Sequence, residues 1–279
     1  MEIISSQKGF RYISEPFQLK NYLVQKYLQI NCWNDLYMRT NDDVIIQYLK
    51  NIESNHLTFK NPIPGSRFWR PYTYQTVFKV INGCEDRLDY IVNTLNGHTI
   101  ILLRHPIAVS VSRKVLPRLN AYVKSDYADF FTEKQIHFAH QIISKGSYLA
   151  KAVLSWCFQA SVPLRNINDN VHVLTYEQMV LEPDKVIYYL NNWLGLKEIS
   201  KLRRQFNVPS RTANLSFEKS SKYIKNQDVQ TIVRKWSDKV DKNQERNLLK
   251  ILDVFEIDAY RQGEFTSSKY WLYPFAKKV

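Results

Sequence analysis

Residues 99–114 read Thr99-Ile100-Ile101-Leu102-Leu103-Arg104-His105-Pro106-Ile107-Ala108-Val109-Ser110-Val111-Ser112-Arg113-Lys114. Thr99–Leu103 is an uninterrupted apolar run, the pattern of a parallel strand buried on both faces. His105-Pro106 turns the chain, because proline fixes its own φ and pushes the residue before it out of helical conformation. A helix then starts at Ile107 and runs to Val115, and Pro117 ends it. In open parallel sheets, ligands sit at the carboxyl ends of strands. The helix that follows offers free N–H groups and the positive end of its dipole. A guanidinium at the strand end, here Arg104, can grip a phosphate through two parallel hydrogen bonds. Ser112, eight residues further on, adds a hydroxyl donor. On this physics alone, Arg104 as a surface cation behind a buried strand is an equally good reading.

The same alternation extends to both sides. Phe10–Ile13 is a short extended piece, and Pro16 places Glu15 in a loop or strand end. Helices are expected around Leu19–Ile30 and Asp42–Ile52, and Asn61-Pro62-Ile63-Pro64-Gly65 is a break. Thr76–Ile81 is a β-branched strand that carries Lys79 near its end. Leu88, Ile91, Val92 and Leu95 recur at helical spacing, and Asn96-Gly97 closes that helix. Residues 133–160 read as one long helix with Trp156. Val171–Leu174 is a further apolar strand, and Glu182-Pro183 leads into an amphipathic helix, Lys185–Trp193, ended by Gly195. Residues 228–254 read as helices. Strand–helix alternation of this kind predicts an α/β fold: a central parallel sheet with helices on both faces. No repeat or linker divides the chain, so one domain over residues 1–279 is expected.

Composition narrows the function. A formal charge of +13 attracts anions of every class. The basic residues are dispersed, with no dense Lys/Arg tract and no zinc-finger spacing, so a phosphorylated cofactor or anionic substrate ranks ahead of nucleic acid. Three cysteines, Cys32, Cys84 and Cys157, stand far apart. That excludes a disulfide scaffold and a structural zinc, and fits a reducing compartment. No metal is expected. His137 and His140, at i and i+3, make a weak candidate pair on one helix face. No apolar run reaches the ~18–20 residues of a membrane span, and the N-terminus lacks the apolar stretch of a signal peptide. A cytoplasmic location is the expectation.

The segment from Arg104 to Ser112 resembles the sulfotransferase family, in which a strand, an Arg, a Pro-containing turn and a helix with a Ser eight residues after the Arg follow one another. His105 stands where the family often has Asp. The resemblance implies a P-loop NTPase-like architecture, with Arg104 and Ser112 on the 3′-phosphate of 3′-phosphoadenosine 5′-phosphosulfate, the sulfate donor. Val171–Val180, Glu182-Pro183 and Trp193-Leu194-Gly195-Leu196 resemble the family's strand, its Tyr-Glu pair and its helix closing on Leu-Gly-Leu. Tyr176 and Glu177 there shape the cleft rather than react. Pro209-Ser210-Arg211-Thr212 resembles a loop that covers the nucleotide, which makes Arg211 a candidate second phosphate contact; a solvated loop cation is as good a reading. Arg11–Phe17 is similar to a segment in which some carbohydrate sulfotransferases carry a Glu that deprotonates the acceptor hydroxyl. Glu15 is accordingly the candidate base, and Lys79 the candidate stabiliser of charge on the leaving phosphate. The acceptor is expected to be a carbohydrate or other hydroxyl-bearing small molecule.

The resemblance covers about residues 9–260 and lacks the Gly/Ser/Thr-rich loop that wraps the 5′-phosphosulfate. Only MEIISSQK precedes Gly9. The expectation is therefore an N-terminally incomplete domain, a degenerate homologue, or a cradle supplied by another segment. A catalytically degenerate protein of the same fold that binds an anionic ligand or partner is the alternative function.

Overall fold

The computed structural model describes residues 2–57, 72–112, 118–206, 208 and 228–269. The described chain falls in two compact units. The first lies within Met1–Gln29, Asp43–Asn82 and Val180–Ile232; the second within Ile30–Asp42, Gly83–Met179 and Val233–Val279.

In the first unit, strand β1 (Phe10–Ser14) pairs in parallel with strand β2 (Gln75–Lys79), Phe10 opposite Gln75 and Ser14 opposite Lys79. Helix α1 (Asp42–Glu53) turns Ile45, Ile46, Tyr48, Leu49 and Ile52 inward, the stripe a 3.6-residue period produces. The Tyr48 hydroxyl donates to the Pro16 carbonyl at 2.9 Å. Arg11, on β1, binds Thr76 Oγ1 at 2.8 Å and the carbonyls of Ile52 and Glu53 at 2.5 Å each, and also reaches Asn55. It thus satisfies acceptors that the end of α1 leaves open. The helix expected over Leu19–Ile30 is shorter and more widely wound: a π-helical turn spans Val24–Leu28, and Gln29 closes it with a left-handed φ of 55°.

The second unit holds the main core. Strand β3 (Thr99–Leu103) pairs in parallel with strand β4 (Val171–Thr175), Thr99 opposite Val171 and Leu103 opposite Thr175. Helix α2 (Pro106–Ser112) follows β3 directly. Helix α3 (Tyr148–Arg165) buries Val153, Leu154, Trp156, Cys157 and Phe158. Around it pack Tyr37, Ile107, Tyr122, Tyr127, Trp236, Phe255 and Tyr260.

The chain is mixed α/β with parallel strands, as expected, and of the central sheet the described residues show only strand pairs. Among the described residues these are two two-stranded parallel ladders, β1 with β2 and β3 with β4. β4 is buried along its whole length, but β3 is not: only Leu103 is buried, and Leu102 is 54% exposed. Apolar content alone does not distinguish a central strand from one with an open face. The long helix expected over 133–160 is two helices. The first, α4 (Glu133–Lys145), starts on a capping box in which Thr132 Oγ1 accepts the Gln135 N–H and Gln135 Oε1 accepts the Thr132 N–H. It stops at Gly146, which is extended, and Ser147 starts α3 by accepting the Ala150 N–H. A serine that caps competes with helix continuation.

Candidate functional site

The parallel register of β3 and β4 sets the site. Leu103 lies opposite Thr175, so the next residues, Arg104 and Tyr176, leave the two strand ends side by side. The Arg104 guanidinium lies over the Tyr176 ring at 4.4 Å from its centroid, a cation–π contact. Among the described residues Arg104 forms no salt bridge. Its charge is held by an aromatic face that orients it without neutralising it.

One residue further on, His105 and Glu177 meet. The His105 backbone N–H donates to Glu177 Oε1 at 2.9 Å, and the Tyr260 hydroxyl donates to Glu177 Oε2 at 3.0 Å. Burial pushes the Glu177 carboxyl above its ordinary range; the two hydrogen bonds and the Arg104 charge oppose that rise. The His105 ring is fully buried, stacked on Trp236 at 4.1 Å and 13°, with Tyr260 edge-on at 5.0 Å. Neither ring nitrogen has a hydrogen-bond partner among the described residues. Burial, aided by Arg104, lowers its pKa to about 3, so the ring is neutral at physiological pH.

On α2, Ser110 is buried and donates to the Pro106 carbonyl at 2.8 Å. Ser112 is exposed and donates to the Val109 carbonyl at 2.9 Å. Arg211 lies outside the described residues.

The other two candidates come together in the first unit. Glu15 directly follows β1, and its N–H donates to the Lys79 carbonyl at 2.8 Å. Its Oε1 lies 3.6 Å from Lys79 Nζ, and its Oε2 accepts the Ile81 N–H at 3.3 Å. Glu15 has a φ of 52°, left-handed rather than the extended backbone a residue before proline favours.

Several features escaped the sequence reading. Glu177 as a two-handed acceptor and the aromatic seat of His105 join residues far apart in sequence, and no local pattern signals them. The turn Cys84-Glu85-Asp86-Arg87 is another. Tyr37 donates to the buried Glu85 at 3.0 Å, and Arg87 is ringed by Asp42, Asp86 and the carbonyls of Leu36 and Met38. Consecutive charges after a strand read as a solvated loop, yet here they are inside. His137 bonds Gln141 within α4 at 3.0 Å, and the described residues contain no group of three His, Cys, Asp or Glu side chains placed to hold a metal. No helix among them is long and apolar enough to cross a membrane.

A family model for the sulfotransferase domain matches residues 88–260, 173 of the chain's 279 residues. The chain belongs to the sulfotransferase domain family. No curated protein and no solved structure matches it. The matched stretch of the sulfotransferase domain contains Arg104, Ser112, Tyr176, Glu177, Trp236 and Tyr260. Glu15 and Lys79 lie upstream of it.

Proposed function

We propose that this sulfotransferase-family chain moves a sulfuryl group from 3′-phosphoadenosine 5′-phosphosulfate to a hydroxyl of a carbohydrate or other small acceptor, within a P-loop-like nucleotide-binding architecture. Arg104 binds the 3′-phosphate through its guanidinium and Ser112 through its hydroxyl. Glu15 takes the acceptor proton. The acceptor oxygen forms its bond to sulfur as the bond from sulfur to the bridging phosphate oxygen breaks, and the electron pair leaves with adenosine 3′,5′-bisphosphate. Lys79 offsets that developing charge.

The observation that carries the reading is Arg104 at the carboxyl end of β3, stacked on Tyr176 and with no carboxylate paired to it among the described residues. A doubly charged phosphate is the partner that such a guanidinium fits.

Calorimetric titration tests it. The chain should prefer adenosine 3′,5′-bisphosphate to adenosine 5′-monophosphate, and Arg104→Ala should lose most of that preference. A charge-assisted hydrogen bond is worth ~1.5–3 kcal/mol, so the loss should be roughly 10- to 150-fold. Equal affinity of the parent chain for the two nucleotides refutes the assignment. Retained bisphosphate binding without transfer to any acceptor would instead favour a catalytically degenerate binding protein.

A further inference from the structure

We infer that Glu177 is a positioning residue for the nucleotide site, locking the Arg104–Pro106 turn to the chain segment that carries Tyr260. This rests on the reading of Arg104 as the 3′-phosphate ligand.

Glu177 is 2% exposed. Both of its oxygens are used, Oε1 on the His105 N–H at 2.9 Å and Oε2 on the Tyr260 hydroxyl at 3.0 Å. A buried carboxylate is costly unless hydrogen-bonded, and these two bonds come from the residue that follows Arg104 and from Tyr260, 83 positions after Glu177. The His105 side chain is fixed independently, between the Trp236 face and the Tyr260 edge. Tyr260 therefore touches both halves of the lock. Its hydroxyl holds the carboxylate that holds the turn's backbone, and its ring bears on the turn's side chain. Arg104 and Tyr176, whose contact aims the guanidinium, are each one residue from a member of this arrangement. Loosening it frees Arg104 to wander without removing any group that touches the ligand. A misplacement of ~1 Å costs much of what a positioned group supplies.

Tyr260→Phe, Glu177→Gln and Glu177→Ala are compared with the parent chain and with Arg104→Ala, by titration of adenosine 3′,5′-bisphosphate and adenosine 5′-monophosphate and by thermal melting. Tyr260→Phe keeps the ring and removes only the hydroxyl, so it remains informative if Glu177→Ala does not fold. It should lower the preference for the bisphosphate about tenfold, the scale of one hydrogen bond to a charged group, with monophosphate affinity within about twofold. Glu177→Gln should retain most of the preference, because its amide oxygen still accepts the His105 N–H and its NH₂ can donate to the Tyr260 oxygen. A merely structural role would weaken both nucleotides together, and that result overturns the lock. So does a folded Tyr260→Phe chain with undiminished preference while Arg104→Ala has lost it. If the parent shows no preference at all, the reading of Arg104 fails first and the lock falls with it.

Discussion

Replacing His105 with Phe should make the protein more resistant to acid. The imidazole is fully buried, and its pKa is about 3 against an ordinary 6.5. The groups that face it are Arg104, which disfavours a second positive charge, Glu177, which accepts its backbone N–H rather than a ring proton, and the Tyr260 ring. Because the folded pKa lies below the unfolded one, the unfolded chain binds a proton between those values that the folded chain refuses. Stability from this residue is therefore complete above about pH 6.5 and falls as the pH drops toward 3. At ~1.36 kcal/mol per pH unit, the step from 6.5 to 5 costs ~2 kcal/mol. Phenylalanine keeps the stack on Trp236, the edge contact with Tyr260 and the backbone N–H to Glu177, and has nothing to protonate. It also removes two buried nitrogens without partners among the described residues, each a liability of ~1–3 kcal/mol. The assay is urea unfolding of both chains at pH 8 and pH 5. Acid losses from carboxylates are common to the two and cancel in the difference. The variant should match or exceed the parent at pH 8 and lose ~2 kcal/mol less on going to pH 5. An equal loss in both chains would mean that His105 is not held neutral by its surroundings, and the reasoning would be wrong.

Three further outcomes are expected. Arg87→Ala should cost ~3–5 kcal/mol, because it strands Asp86 and Asp42 and two carbonyls around a side chain that is only 4% exposed; a loss under ~1 kcal/mol in urea unfolding would contradict the ring of contacts. Gly83→Ala should lower stability by ~2 kcal/mol, because Gly83 has a φ of 93° and a Cβ there would lie 2.4 Å from Leu36 Cδ2; thermal melting reads it directly, and an unchanged midpoint refutes it. Glu15→Gln should slow transfer of labelled sulfate by ~10²–10⁴ while leaving bisphosphate affinity intact, and a variant that transfers at the parent rate removes Glu15 from the base role.

What the sequence made legible was the local grammar. The strand positions at Phe10, Thr99 and Val171, the turn at His105-Pro106 and the glycine stop at Gly195 follow from apolar runs and from the backbone limits of Pro and Gly, and those limits act within a few residues. Pairing is different. That β3 lies beside β4, with Arg104 brought onto Tyr176, depends on a register no local pattern encodes. Leu102 reads as core and is more than half exposed, because hydropathy reports what a side chain prefers and not which neighbours the chain can bring to it. Gly146 and Ser147 interrupt a stretch whose periodicity alone continues through, since a capping hydroxyl satisfies the helix start that periodicity ignores. The burial of Glu85, Asp86 and Arg87 was least legible of all: only mutual satisfaction makes it tolerable, and that is a property of the folded neighbourhood.

The two sets of candidate residues therefore stand on different footings. Arg104, Ser112 and Glu177 lie within the stretch that matches the sulfotransferase domain. Glu15 and Lys79 lie outside it, and the geometry that brings them together is specific. A non-glycine residue with φ of 52° costs ~1–2 kcal/mol, so the surroundings must hold it there. The Lys79 carbonyl, the Lys79 ammonium and the Ile81 N–H contact it beyond the end of β1, and its own carbonyl accepts the Gln18 N–H at 3.1 Å. If the conformation served only packing, a glycine would occupy it without strain and lose little. A carboxylate fixed at a strand end by a strained backbone, with an ammonium 3.6 Å away, is costly to keep. Glu15→Gly separates the two cases: it should stabilise the fold slightly and abolish transfer if the strain serves chemistry, whereas a stabilised chain that still transfers sulfate would leave the carboxylate without a role.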